Sequence, residues 1–453
     1  MHVEKNVFDT LVGTILDIEG KTKDTVEARL DLERMGIRRG LLMNRDSDKA
    51  GRDLEFFFPI KPNDKKESLK FVSSVKFLNG YASNIACCVN VDGGKFIGLK
   101  SHDCHVFMRR LLPVGIQHLL PEDVVKPIIF LHKYDPRDGS LARRNIVCWS
   151  YQLALDVFNR KASRRAEKKC MQQGEARMIN YRGLDVEMAF NRPQRNNDGG
   201  MRNEKLFVFA QSARPFGDPG RGESFSRNDM DVAHWFVLNN CDEIMAYLDE
   251  HEEMMKREHP SHLCANKHCE LFPQWFLDYL KSSNSPIYSD ELYNLAFGPI
   301  RAELFLGCHI NGVKFLGTAR DDKLCTQNSG VHVPGGGEST DIDFYGKLTT
   351  VVQLLYKDRY QVIMFKCRWF DTNPNRLGSV KIDHGLLAVN INRTWYDDDP
   401  YILANMATQI VYLDDPKAGS GWKVVQKMDH RNVYAIPELD PTDNDVDNVA
   451  NQH

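Results

Sequence analysis

Apolar residues recur at helical spacing near the start of the chain. Val7, Phe8, Leu11, Val12 and Ile15 predict a helix over 3–18, stopped by Gly20. A second helix is expected from Val26 to Met35, with Leu30 on its apolar face and Gly36 as the stop. Leu69, Val72 and Val75 predict a third over 65–77, closing at Asn79-Gly80. Farther on, Ser226 is a natural N-cap with Asp229 in the first turn, leading into Met230, Ala233, His234 and Val237. A helix over 244–258 follows, blocked by Pro260, and FPQWFLDYLK and DELYNLAF give two short ones within 271–297. After about residue 305 the period changes from 3.6 to 2. Strands are predicted at 313–317, 329–333, 345–356, 361–370, 386–391, 409–413 and 422–427. The fold class is therefore α+β: mainly helical N-terminal and middle regions, then a small antiparallel β-barrel or sandwich.

These patterns divide the chain. A helical region occupies 1–130, an atypical basic segment 131–175, and a loop and helical linker region 176–305, where NRPQRNNDGG and ARPFGDPGRGESFS are too rich in Gly and Pro for long elements. The β-rich segment covers 306–436, with PGGGES (334–339) expected as an exposed loop. The acidic stretch 437–453 lacks the apolar residues a core needs and is expected to be disordered.

Charge narrows the choice of partners. The net charge of −3 over 453 residues gives no global field toward nucleic acid or membrane, so any such contact is local. No apolar run reaches the ~18 residues needed to span a bilayer, and the N-terminus lacks a secretory pattern. The 11 cysteines are scattered, which fits reduced thiols in nucleus or cytoplasm better than a disulfide framework. One run stands out: Arg160, Lys161, Arg164, Arg165, Lys168 and Lys169 lie within ten residues. It reads either as a solvated helix face or as a nuclear-import or phosphate-contacting patch.

Two clusters carry metal-ligand side chains. In LKSHDCHVFMRRLL, His102, Asp103, Cys104 and His105 are consecutive. Cys104 also opens an apolar stripe through Phe107, Met108, Leu111 and Leu112, so the stretch reads as a helix start, with Ser101 as a possible cap and Cys104 in the core. In SHLCANKHCE, the candidate metal ligands are His262, Cys264, His268 and Cys269. The H-x-C and H-C spacings are too tight for a usual zinc knuckle, and a loop with incidental ligands is expected. EGKTK (19–23) lacks the glycine loop of a phosphate cradle, and Asp397, Asp398 and Asp399 read as a solvated cluster. The aromatics Tyr345, Tyr360, Phe365, Trp369 and Phe370 read either as β-core or as a stacking or peptide-binding face. No catalytic residue, metal or cofactor follows from these patterns.

Several long stretches together resemble the C-terminal half of plant CACTA (En/Spm-type) transposases. They are MHVEKNVFDTLVGTILDIEGKTKDTVEARLDL, GLKSHDCHVFMRRLLPVGI, FNRPQRNNDG, RPFGDPGRGESFS, DVAHWFVLNNCDEI, TQNSGVHV, IDFYGKL, FKCRWFD, WYDDDPYILA and QIVYLDDP, spread over about 1–130 and 174–436. The resemblance implies a ribonuclease-H-like, three-carboxylate, Mg²⁺-dependent core followed by two domains of unknown function, the second coinciding with the β-rich segment. It implies transposon DNA and other transposase subunits as partners, and a nuclear location. Relatives carry a long upstream part with a DNA-binding region and the early core, whereas this chain opens with MHVEKN. They also carry a helical stretch between LLP (111–113) and FNRP (190–193), where the last catalytic carboxylate is expected. Here LHKYDPRDGSLARRNIVCWSYQLALDVFNRKASRRAEKK stands instead. No catalytic residue therefore carries over. The expectation is a transposase-derived chain without strand-transfer activity, the alternatives being a DNA- or protein-binding module and a metal-dependent strand-transfer enzyme.

Overall fold

A computed structural model describes residues 2–16, scattered positions from 18 to 35, and 61–116, 206–220, 225–282, 288–335 and 342–428, apart from 384, 397–399 and 417. The basic run 160–169, half of the second predicted helix, the PGGGES tip and the acidic C-terminal stretch lie outside these residues.

The N-terminal part is helical. Helix α1 (His2–Ile15) buries Phe8, Leu11, Val12 and Ile15, as the stripe predicted. Helix α2 (Pro62–Ser74) starts with proline in its first turn and buries Leu69, Phe71 and Val72. A two-stranded hairpin, β1 (Val89–Asn90) and β2 (Lys95–Phe96), precedes α3 (Ser101–Val106). The latter continues through a π-helical turn (Phe107–Leu111) into α4 (Leu112–Ile116).

The next part is a helical layer. After β3 (Arg214–Phe216) come α5 (Arg227–Asn239), α6 (Met245–Glu258), α7 (Ser261–Ser282) and α8 (Asp290–Phe297). Ser226 caps α5, its Oγ accepting from Asp229 N at 2.9 Å. One expectation fails here: SHLCANKHCE is not a loop but the first half of α7, which runs through Pro273. The reason is a buried row at every fourth residue, Cys264, His268, Phe272, Phe276 and Leu280, which packs against α6. Pro260 ends α6, and α7 begins at once.

The strands follow: β4 (Arg301–Phe305), β5 (Gly307–Ile310), β6 (Val313–Leu316), a short helix α9 (Thr318–Asp321), β7 (Gly330–Val333), β8 (Phe344–Leu355) and β9 (Gln361–Phe370). Then come β10 (Val380–Asp383), β11 (Leu386–Asn390), β12 (Thr394–Trp395), β13 (Tyr401–Leu403), β14 (Thr408–Asp414) and β15 (Trp422–Lys427). The main sheet is antiparallel and ten-stranded, with the path β10-β11-β15-β14-β7-β8-β9-β12; β4 adds to β8 and β13 to β9. Of the barrel or sandwich expected, the closed barrel does not form among the described residues, because β10 and β12 end the path without meeting. β11 stops pairing with β15 at Asn390, and the chain turns through 391–393 before β12 joins β9. A smaller sheet, β3-β5-β6, packs Cys308, Ile310 and Phe315 against one face of β7–β9.

Alternation along β9 gives the sheet a helical layer on one face and the smaller sheet on the other. Val362 and Met364 face α5–α8 with Val352 and Leu354 of β8. Ile363, Phe365, Cys367 and Trp369 face the smaller sheet. At the other end of the sheet, Ala388, Val411, Leu413, Trp422 and Val424 pack with Phe8, Leu69, Phe107 and Leu111 of the N-terminal helices. Residues 61–116 and the β-rich segment thus share one core. Lys76 Nζ donates to Asp322 O at 3.0 Å and Gln327 N to Phe77 O at 2.9 Å across that junction.

Candidate functional site

The ligand-type residues of the N-terminal motif hold up a helix. Asp103 is buried and accepts from Lys100 N at 3.1 Å and Ser83 N at 3.2 Å. Lys100 is the N-cap, and Ser101 is already helical, so the cap comes from the Asp103 carboxylate rather than the expected serine. Cys104 is fully buried, and burial pushes its thiol up to about 11. His102 Nε2–H donates to Tyr81 O at 3.0 Å.

The second cluster is taken apart by α7. His262 is exposed, while Cys264 points inward and donates its thiol to backbone carbonyls of Met255, His259 and Pro260 at 3.4–3.5 Å. His268 meets a residue that sequence reasoning missed, His251 of α6, at 2.7 Å between Nδ1 atoms. Trp235, Phe272 and Trp275 surround the pair. Burial lowers both histidines, His251 to about 4, so the contact is one neutral ring donating to another. Among the described residues, no group of three or more His, Cys, Asp or Glu is placed to hold a metal ion.

A third constellation gathers at the end of the sheet. Asp343 accepts from His332 Nε2 (2.9 Å), Tyr345 Oη (3.0 Å), Gly335 N (3.3 Å) and Lys427 Nζ (3.4 Å). Burial alone would raise its carboxyl, but the hydrogen bonds from His332, Gly335 and Tyr345 outweigh that and hold it at about 2. Three of the four donors share Oδ2, so the carboxylate works as a clamp between β7, β8 and β15. Its donors leave little lone-pair capacity for a metal or a proton.

The fourth is an arginine and aromatic corner around the turn that separates β11 from β12. Arg393 Nη1 donates to Leu377 O at 2.7 Å, and Asp371 N donates to Arg393 O at 3.0 Å. Arg368 Nη2 donates to Ile391 O at 3.0 Å. Arg376 pairs with the buried Asp371 at 3.2 Å and lies 5.6 Å over the Trp395 ring. Tyr396 stacks on Trp395 with centroids 4.7 Å apart, is 42% exposed, and has φ +54°, a left-handed backbone rare for an aromatic residue. The aromatics singled out from sequence do not form its exposed face: Tyr345, Phe365, Trp369 and Phe370 are buried, and Tyr360 stacks on Phe209 at 4.9 Å. The corner was visible in sequence only as arginines interleaved with aromatics between 368 and 396; the register Trp395↔Trp369 draws them together.

Among the described residues, no helix is long and apolar enough to cross a membrane. No curated protein and no solved structure matches the chain. Residues 352–425, from the second half of β8 to β15, match the family model described as Domain of unknown function (DUF4216).

Proposed function

We propose that the chain is a transposase-derived protein of the CACTA type that works in the nucleus as a binding module, without cutting or joining DNA. The observation that carries this reading is the ordered series of long motifs over 1–130 and 174–436. The domain-of-unknown-function match supports it by falling inside the β-rich segment, where the resemblance expects such a domain. A second support is the work the motif residues do. Asp103 caps α3, Cys104 fills core, Ser226 and Asp229 cap α5, and Cys367 and Trp369 pack from β9 into the core shared with the smaller sheet.

Mg²⁺ enters only under the alternative of an intact strand-transfer core, which needs three carboxylates from separate elements. The partners under the main reading are transposon-type DNA or transposase subunits, with Arg164 and Arg165 of the basic run as phosphate contacts. Incubating the full chain with transposon-end oligonucleotides and Mg²⁺ or Mn²⁺ is expected to leave both strands whole. Metal-dependent nicking by the pure protein would overturn the reading.

A further inference from the structure

Arginines at a protein surface usually spend their donors on carboxylates. At the turn between β11 and β12 they are instead oriented by backbone. Arg368 and Arg393 each donate to a main-chain carbonyl, Ile391 O and Leu377 O, and neither has a carboxylate partner among the described residues. A guanidinium carries five N–H donors in a fixed plane, so each keeps donors to offer outward. Arg376 is held by Asp371, whose side chain is 5% exposed, and covers one side of Trp395. Beside them, Tyr396 keeps an exposed ring on a left-handed backbone that costs on the order of 1 kcal/mol or more. The ring packs against Phe344 at 5.5 Å and Trp395 at 4.7 Å, yet it stays 42% exposed and open to a ligand.

We propose that this corner, formed by Arg368, Arg376, Arg393, Trp395 and Tyr396, binds single-stranded nucleic acid. A base stacks on Tyr396, and neighbouring phosphates lie against Arg368 and Arg393. Stacking on an aromatic ring beside oriented cations is the general means of holding an unpaired strand without reading its sequence. A duplex keeps its bases stacked on each other and cannot offer one to Tyr396. Three aspartates, 397–399, follow in sequence. Their charge sets the expected affinity on the order of micromolar rather than tighter. This site is independent of the descent argued above, and of the basic run at 160–169.

The test uses the full chain and a fluorescein-labelled oligothymidylate of about 12 nucleotides, followed by anisotropy. The single strand is expected to bind more tightly than a duplex of equal length. With two or three phosphate contacts, log affinity should fall against log salt with a slope of roughly −2. Tyr396→Gly removes the ring while suiting the backbone, so its melting temperature should hold or rise as affinity falls about tenfold. Arg393→Gln should weaken binding and flatten the salt slope by about 0.7. Arg164→Ala with Arg165→Ala should leave oligothymidylate binding in place. Equal affinity for duplex, unchanged binding by Tyr396→Gly, or loss confined to the Arg164/Arg165 variant would each overturn the proposal.

Discussion

Ser68 lies on the buried side of α2 against an apolar cavity of about 20 Å³ lined by Val12, Leu69, Phe107 and Leu111. Its hydroxyl has no hydrogen-bond partner, so it loses water on folding and gains nothing in return. Ser68→Ala is therefore expected to raise stability by about 1 kcal/mol, read from denaturant midpoints at constant slope. A drop would mean the hydroxyl is satisfied after all. Asp343 behaves in the opposite sense. Its carboxyl is held below its ordinary value, so its contribution is complete above about pH 4 and is lost as pH falls toward 2. Because the side chain is 38% exposed, the contribution is discounted to roughly 1 kcal/mol. Asp343→Asn should cost about that much at pH 7 and much less at pH 2.5. At this scale the sequence was only partly legible. Ser226 and Asp229 declare a cap within four residues, whereas Asp343 and Lys427 meet across 84 positions, and only the strand register unites them.

Among the elements, α7 was the least legible from local pattern. In SHLCANKHCE the buried face is carried by Cys264 and His268, which stand among other ligand-type residues and read as a cluster of incidental metal ligands, so the row Cys264, His268, Phe272, Phe276, Leu280 is broken into a polar half and an aromatic half. Burial restores it, and the pairing with His251 gives α6 and α7 a titratable seam. His251, His268 and the fully buried His234 are all lowered by burial, His234 to about 3. A folded state that resists protonation loses stability as pH falls below the free-histidine value near 6.5, and goes on losing it toward 4. The melting temperature is expected to fall across that window. His251→Phe with His268→Leu should flatten the fall, and an unchanged profile would remove these two rings as its source. Strand β7 makes a second point about elements. A Cβ at Gly330 would sit 2.2 Å from Ile410 O, so Gly330→Ala must push β7 off β14. The expected loss is about 2–3 kcal/mol by urea unfolding. The short strands β10, β12 and β13 were not seen in the sequence because pieces of two to four residues are too brief for alternation to show.

At the scale of the molecule, the period change near residue 305 separates helices from strands in sequence but not in space. The face of β11, β14 and β15 is covered by α1–α4, and the face of β4, β8, β9 and β13 by α5–α8. Long-range sharing of this kind leaves no mark on local periodicity, which is why the helical and β-rich stretches read as separate regions. It has a measurable consequence. Leu111→Ala empties part of the shared core and should cost about 3 kcal/mol. Amide exchange at 422–427 of β15 should speed up together with that at 101–116, whereas exchange confined to the helices would mean the two parts open separately. The functional account rests on motifs whose residues now serve packing and capping. Its most direct measurement is the fate of a supercoiled plasmid carrying transposon ends, incubated with the full chain and Mn²⁺. The account predicts nicked circles accumulating no faster than without protein; protein-dependent nicks mapping to the transposon ends would contradict it.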